Sequence, residues 1–400
     1  MKNYNTSRFI FTLAPFVFSF AFGLDIYIPV VPEMTRVFHT TPALVQLTLS
    51  LFLLANGLGQ LIVGPLSDQF GRRAILYVAS ALFAIGSLGC ALADNIIFMI
   101  IARVVSAVGS CGMLVVAFAI VRDLFSGNES ARMFSLLNGA IGISPIFAPI
   151  IGGYLALWLG WRSVFLFLVL LGVLGLAITK WAVLETHHHE RRVKLNVAIF
   201  QRYWQIMTLR TFFCYASITG LSLSIFFCFF SVSPFIIIDI LKISIQHFGY
   251  CFAVFGMVIA FGSLTAGKIV VHWGLSRTIL IGIVLLFIGG AGMLIWYYAA
   301  GLSLFGFLIP MVVACTGAAF AVGAGAAGAL EPFAKIAGTA AAAFGVFEFG
   351  LAAIVGGILM RFPVTSTVSY GICIVIVAVL SLVLFLMLRG NSVGRLRSMR

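Results

Sequence analysis

Long apolar runs separated by short polar connections make up most of the chain. We place twelve such runs near residues 9–31, 43–64, 74–93, 96–121, 131–155, 162–184, 211–238, 247–270, 277–299, 301–326, 336–360 and 367–388. An α-helix rises about 1.5 Å per residue, so a run of roughly 20 residues crosses a hydrocarbon core about 30 Å thick. The pattern predicts an all-α polytopic membrane protein with twelve transmembrane helices.

The overall composition agrees with this interpretation. Hydrophobic residues make up 62% of the chain and charged residues only 9%, whereas soluble chains contain about 45–50% hydrophobic residues. The first apolar run is too long for a signal peptide and contains Asp25, so we expect it to be retained as a helix.

The basic residues lie mainly on one side of the predicted membrane. With the N-terminus in the cytoplasm, nineteen of the 24 Lys and Arg residues are cytoplasmic, four are external, and Arg103 lies within a span. This asymmetry is the positive-inside bias that sets membrane topology. The net charge of +13 therefore reflects topology and does not indicate nucleic-acid binding. We expect both termini to be cytoplasmic.

The longest polar connection divides the chain into two halves of six spans each. We predict an N-terminal bundle over residues 1–184, a cytoplasmic linker over 185–210, a C-terminal bundle over 211–388 and a basic cytoplasmic tail over 389–400. Within the linker, apolar residues at helical spacing predict a short helix in the headgroup region: Val197, Phe200, Tyr203, Trp204 and Met207. The triple His187, His188 and His189 is interpreted as a solvated loop, because nothing nearby completes a set of metal ligands.

A glycine-framed loop follows the second span of each half. Gly64 and Gly71 are seven residues apart, as are Gly267 and Gly274, 203 residues later. The repetition predicts two parallel six-helix repeats, an architecture of transporters. In the first copy, GPLSDQFGRR, Asp68 can accept hydrogen bonds from a helix N-terminus or pair with an arginine, whereas a purely topogenic turn would not need it.

This loop resembles the signature of the major facilitator superfamily, Gly-x-x-[Ser/Ala]-Asp-x-x-Gly-[Arg/Lys]-[Arg/Lys]. The matching residues are Gly64, Ser67, Asp68, Gly71, Arg72 and Arg73. The resemblance implies that the loop is a conformational latch. We call residues 64–73 the latch loop and residues 267–277 the second loop.

Three further stretches resemble the bicyclomycin-resistance-type drug:proton antiporters of that superfamily. LDIYIPVVP carries their Asp-x-Tyr-x-Pro pattern with Asp25 and Tyr27, and RVVSAVGSCG resembles their fourth-helix motif with Arg103, although Ser106 replaces a glutamine. SPIFAPIIGG resembles the antiporter motif Gly-x-x-x-Gly-Pro-x-x-Gly-Gly. Its matching or substituting residues are Ser144, Ala148, Pro149, Gly152 and Gly153, of which Ser144 and Ala148 replace glycines.

Three ionisable residues within spans are candidates for function, because such groups are costly in a bilayer. Asp25 and Arg103 lie at overlapping predicted depths, so they could pair, or Arg103 could act on Asp25 from a distance. Burial favours a neutral carboxyl and a nearby cation favours a charged one, so Asp25 could gain and lose a proton as its surroundings change. The alternative is a static brace, a fixed ion pair that holds two helices together. Glu348, near the middle of the eleventh span, could bind a cationic substrate or a second proton, or pack as a neutral carboxyl.

Three polar residues in spans could line a substrate cavity or could hydrogen-bond helix to helix: Asn56, Gln60 and Asn138. No cofactor or metal is expected. The seven cysteines lie in apolar runs without a CxxC pair, and no Gly-x-x-x-x-Gly-Lys-[Ser/Thr] nucleotide motif is present.

Taken with the resemblance, these features predict a secondary transporter that exports amphiphilic drugs or metabolites against proton entry. The expected partners are an amphiphilic or cationic small molecule, protons and the lipid bilayer, and the expected form is a monomer in the inner membrane. A proton-coupled importer or a siderophore exporter on the same scaffold is the nearest alternative. A membrane enzyme would need a clustered catalytic set, and a channel would need selectivity-filter repeats; the sequence contains neither.

Overall fold

A computed structural model describes residues 6–186 and 198–397. The triple His187 to His189 and Val197 of the predicted linker helix lie outside the described residues. The described part of the chain is helical and contains no strand. Its α-helices are α1 Thr6–Asp25, α2 Val31–Val37, α3 Pro42–Phe70, α4 Arg72–Ala91, α5 Ile96–Leu124, α6 Gly127–Leu159, α7 Arg162–Trp181, α8 Ala198–Thr208, α9 Arg210–Pro234, α10 Ile245–Ala300, α11 Leu304–Leu330, α12 Ala337–Leu359 and α13 Val368–Arg397.

Helix α10 contains two spans joined at a glycine. Eleven helices in the described residues are long and apolar enough to cross a membrane, and α10 is one of them with 56 residues. A straight helix of that length would extend about 84 Å, far beyond a hydrocarbon core of about 30 Å. Gly274 breaks it with φ 79° and ψ 166°. With this break counted, the prediction of twelve transmembrane helices is confirmed.

The first span is interrupted by prolines. Helix α1 ends at Asp25, a 3₁₀ turn follows over Ile28–Val30, and α2 continues the span. Pro29 has no N–H group for the Asp25 carbonyl, and Pro32 has none for the Ile28 carbonyl, so an α-helix cannot continue through this segment. The break leaves Asp25 at a helix end inside the membrane-spanning segment.

The described residues form two compact units, one within Met1–Asn196 and Ser244–Gly256, the other within Val197–Ile243 and Met257–Arg400. In the first unit, α5 packs closely against α3 and α4. A Cβ atom added at Gly112 of α5 would lie 2.6 Å from the Cβ atom of Ala79 on α4, so only glycine permits this approach. Residues 244–256 pack against α6, where Gly249 approaches the backbone of Ile150.

In the second unit, α9 packs against α11, α12 and α13. The part of α10 after Gly274 packs closely against α11: a Cβ atom added at Gly282 would lie 2.6 Å from the Gly317 carbonyl oxygen. Helix α8 packs on α9 and α12. It buries Tyr203 and Ile206 and leaves Trp204 71% exposed; its location in the headgroup region stays a prediction.

Candidate functional site

Asp25 is buried at the end of α1, with 4% of its surface exposed. Its Oδ2 atom accepts a hydrogen bond of 2.8 Å from the hydroxyl of Ser144 on α6. Within the described ranges, this is the only hydrogen bond made by the Asp25 carboxylate, and it has no ion-pair partner. A carboxyl held by a neutral hydroxyl can exist in charged and neutral forms without breaking an ion pair.

Arg103 is fully buried on α5 and binds α1 through the backbone. Its Nη1 atom donates to the Gly23 carbonyl at 2.7 Å, and Nε makes a longer contact of 3.5 Å with the Thr48 carbonyl. Its guanidinium carbon lies 4.2 Å from the centre of the Phe52 ring, a cation–π contact. Among the described residues no ion pair joins Arg103 to Asp25, and the buried Nη2 atom has no hydrogen-bond partner.

Tyr27 lies in the break after α1 and is fully buried. Its hydroxyl accepts a long hydrogen bond of 3.4 Å from Thr48, and its ring contacts Phe165 with centroids 5.3 Å apart. The Arg103 guanidinium lies 5.2 Å from the centre of the same ring. The structure therefore groups Tyr27 with Arg103, while Asp25 is bound to Ser144.

The antiporter-like segment forms the face of α6 that contacts the end of α1. Ser144, Ala148 and Gly152 recur every four residues, and Ser144 and Ala148 are fully buried. A Cβ atom at Gly152 would lie 3.0 Å from the carbonyl carbon of Ile26, so a larger residue would push α1 away. Gly153 faces Ile245 instead, and Pro149 lies within the helix.

The latch loop carries a charge cluster built from three residues: Asp68, Arg72 and Asp123. Arg72 donates from Nη1 to Asp68 Oδ1 at 2.5 Å and from Nε to Asp123 Oδ2 at 2.9 Å. Arg72 is 5% exposed, and its Nη1 atom also donates to the hydroxyl of Ser67 at 2.6 Å. Asp68 thus pairs with an arginine, which is one of the two roles that its position in the sequence predicts.

The N-terminus of α4 is capped by Glu185, at the start of the linker. The backbone N–H groups of Arg72 and Arg73 donate to its two carboxylate oxygens at 2.9 and 3.2 Å. Arg73 itself donates to the Thr179 and Lys180 carbonyls at the end of α7. Gly71, with φ 97° and ψ 153°, makes the turn between α3 and α4 and supplies no side-chain cap. A carboxylate at this position satisfies N–H groups that would otherwise lack partners.

Glu348 lies near the middle of α12 in the second unit and is partly exposed. The neighbouring Phe347 packs against Phe212 and Phe213 of α9, with ring centroids 6.0 and 5.6 Å apart. Within the described part of the chain, Glu348 makes no hydrogen bond and no ion pair. It is therefore a carboxyl available to a ligand or a proton.

The three polar residues proposed for a cavity differ from one another. Asn56 is fully buried between α3 and α5: its Nδ2 atom donates to the Phe52 carbonyl, and its Oδ1 atom accepts from Ser110 at 3.4 Å. It therefore adopts the helix-to-helix alternative. Asn138 is exposed and donates to the Phe134 carbonyl of its own helix, and Gln60 is partly exposed. The described residues contain no group of three potential metal ligands.

A family profile described as Major Facilitator Superfamily matches residues 13–357. The chain belongs to the Major Facilitator Superfamily. As a member it is a multi-pass membrane transporter of small-molecule substrates and not an enzyme.

Two curated relatives and one solved structure illustrate this membership. The chloramphenicol resistance protein of Pseudomonas aeruginosa is 31% identical over 346 residues, covering 85% of this chain and 81% of the relative. The bicyclomycin resistance protein homolog of Haemophilus influenzae is 28% identical over 388 residues, covering 94% and 96%. The crystal structure of a D-xylose-proton symporter shares the fold, with a TM-score of 0.68, 20% identity and coverage of 94% and 97%.

Two residues that bind the latch loop, Asp123 and Glu185, were not predicted from the sequence. Both lie at predicted cytoplasmic ends of spans, on the same side as the latch loop, and the chain has only 11 acidic residues. This position, and the small number of acidic residues, mark both as candidate partners for the arginines of the latch loop. Their partners could not be assigned, because 51 residues separate Arg72 from Asp123 and 113 separate it from Glu185.

Proposed function

We propose that this transporter exports amphiphilic drugs or metabolites by alternating access, driven by protons that enter through Asp25. The observation that carries the proposal is a buried carboxylate at a helix break inside a span; among the residues that the structure describes, one hydroxyl and no cation binds it. The chloramphenicol and bicyclomycin resistance relatives support a drug as substrate.

The contacts of Asp25 favour a proton carrier over a static brace. A brace needs an ion pair, because an unpaired charge in the membrane interior is costly. Asp25 lacks such a pair among the described residues, so binding a proton removes its charge without leaving a cation unpaired. The buried Nη2 amino group of Arg103 has no hydrogen-bond partner among the described residues. It can bind the carboxylate in another conformation of the transport cycle.

Three further assignments belong to this proposal. The latch loop with its charge cluster holds one conformation of the cycle. Tyr27 orients Arg103 beside the carrier, and Glu348 binds the cationic part of a substrate or a second proton. The protein acts as a monomer in the cytoplasmic membrane. Both of its termini lie inside, an orientation that the distribution of basic residues supports.

Gradient-driven transport in proteoliposomes tests the role of Asp25. We expect chloramphenicol, bicyclomycin or tetraphenylphosphonium, used as probes, to accumulate against an imposed proton flow. In Asp25→Asn, accumulation should fall at least about tenfold, because the amide cannot cycle between charged and neutral forms. Binding of the probe in detergent should persist, since asparagine resembles the protonated carboxyl.

Asp94→Asn is the matched control, because Asp94 has an 89% exposed side chain and lies outside the spans. Accumulation by Asp25→Asn at the wild-type level would remove this residue from the mechanism. Accumulation in the same direction as proton flow would replace export by import.

A further inference from the structure

The hydroxyl of Ser144 bonds a carboxylate on another helix and no carbonyl of its own helix, unlike several other buried helix serines. Serine in a helix usually bonds the carbonyl three or four residues earlier. The following serines do so here: Ser19 to Pro15, Ser106 to Arg103, Ser110 to Ala107, Ser224 to Leu221 and Ser231 to Phe227. Ser144 instead donates across 119 residues to Asp25. Its hydroxyl is therefore committed to the carboxylate and not to its own backbone.

The backbone around Ser144 makes this contact specific. Two turns further along α6, Gly152 lies against the Ile26 carbonyl, so α6 contacts the end of α1 closely at two points, Ser144 and Gly152. Ser144 is fully buried, and no other described residue gives Asp25 a hydrogen bond. In the antiporter motif that this segment resembles, the corresponding residue is a glycine, which has no hydroxyl to donate.

We propose that Ser144 is a positioning residue for the Asp25 carboxyl and sets the pH at which Asp25 takes up its proton. The inference rests on the proposed role of Asp25 as proton carrier. A hydroxyl can donate to a carboxylate or accept from a protonated carboxyl, but the charge-assisted bond is roughly twice as strong. Ser144 therefore favours the charged form and fixes the orientation of Oδ2.

The other ionisable groups near the α1 break do not supply this effect. Arg103 of α5 binds the Gly23 carbonyl and lies over Tyr27, and Cys90 of α4 lies beside the same two side chains. Across the described residues, α6 and α7 contribute no ion pair to Asp25 and no hydrogen bond except that of Ser144.

Infrared titration of the purified protein in detergent tests the inference without any substrate. The signal of the protonated Asp25 carboxyl is identified as the band that disappears in Asp25→Asn. In Ser144→Ala the pH midpoint of this band should rise by about one unit, corresponding to the loss of one charge-assisted hydrogen bond. Ser144→Gly, which restores the residue of the motif, should shift it in the same direction and serves if the alanine variant does not fold.

Two variants separate the hydroxyl from a general packing effect. Ser144→Thr keeps a hydroxyl and should leave the midpoint within a few tenths of a unit of the wild type. Ser19→Ala removes a buried hydroxyl from α1 itself, where it bonds only the Pro15 carbonyl, and should not move the midpoint. The pH profile of probe accumulation in proteoliposomes should shift with the infrared midpoint.

The outcomes distinguish this inference from the proposed function. A titrating Asp25 band that does not move in Ser144→Ala or Ser144→Gly overturns the role of Ser144 and leaves the proton carrier intact. A shift of the same size in Ser19→Ala also overturns it, because packing and not the hydroxyl would then be responsible. An Asp25 that does not titrate at all overturns the proton carrier and, with it, the inference.

Discussion

The latch loop and the second loop share a backbone but differ in their charges. Gly71 and Gly274 both have positive φ, 97° and 79°, and each separates a helix from the next one. In the latch loop, Asp68 and Arg72 join Asp123 in a charge cluster. At the corresponding positions of the second loop stand Val271 and Leu275.

This difference shows that the glycine turn and the charge cluster are separate properties. A glycine alone permits the positive φ that ends one helix and begins the next, so both halves keep it. The charge cluster also needs a partner from another helix, Asp123 near the end of α5 in the first unit. In the second loop, Arg277 is exposed and makes no ion pair among the described residues.

The largest expected effect follows from removing the centre of the charge cluster. Arg72→Ala leaves Asp68 and Asp123 without their shared cation, so we expect destabilisation of about 2–3 kcal/mol, less than for a fully buried pair because Asp68 is 48% exposed. Transport should fall at least about tenfold. Thermal unfolding in detergent and probe accumulation measure the two effects.

Arg277→Ala is the control for Arg72→Ala in the second loop. It should change transport less than about twofold and stability by less than about 0.5 kcal/mol, as expected for an exposed residue. Equal losses in both variants would mean that the two loops do the same work and that the charge cluster is not a latch.

A smaller effect, common to both loops, should come from the glycines. Gly71→Ala and Gly274→Ala each force an L side chain into positive φ, which costs about 1–2 kcal/mol. We expect both variants to unfold at similarly lowered temperatures. Gly323→Ala in α11 is the control, because this glycine is helical and an added Cβ would meet no atom within 4 Å. A loss confined to Gly71→Ala would show that the second loop does not depend on its turn.

The smallest effect of the three should come from the cap of α4. Glu185→Gln removes the negative charge that binds the N–H groups of Arg72 and Arg73, so we expect a loss of about 1 kcal/mol and a modest decrease in transport rate. Glu331→Gln changes an exposed residue after α11 and should alter neither the stability nor the transport rate. Unfolding of Glu185→Gln at the wild-type temperature would contradict the capping role.

The fold could be predicted from the sequence because its main determinant is local. Comparing the length of each apolar run, as a helix, with the thickness of the bilayer is enough to count the spans. The break in α10 lies at Gly274, a glycine of the repeated loop. Helix boundaries were less accurate. Apolar helices continue past the predicted ends, as α3 does through Pro65 to Phe70, because a helix in a bundle does not end where the bilayer ends.

The candidate site was predictable only in part. Asp25, Arg103 and Glu348 stood out as charges in spans, and the resemblance selected Ser144. The predicted depths of Asp25 and Arg103 in the membrane do not determine whether the two side chains pair. In the structure, Asp25 is bound to Ser144 and Arg103 is bound to the Gly23 carbonyl. Depth along a helix does not specify the direction in which a side chain points around it, and helix rotation depends on packing with neighbours.

The sequence by itself determined the membrane class, the number of spans, the two loops and the identity of the costly intramembrane charges. These properties depend on local hydrophobicity, on proline and on glycine, each of which acts within a few residues. Only the tertiary structure decided the partner of each polar group: Ser144 for Asp25, Asp123 for Arg72, and Glu185 for the N-terminus of α4. Such pairs depend on which helix faces meet, and close contacts at small residues such as Gly112 and Gly152 set those faces.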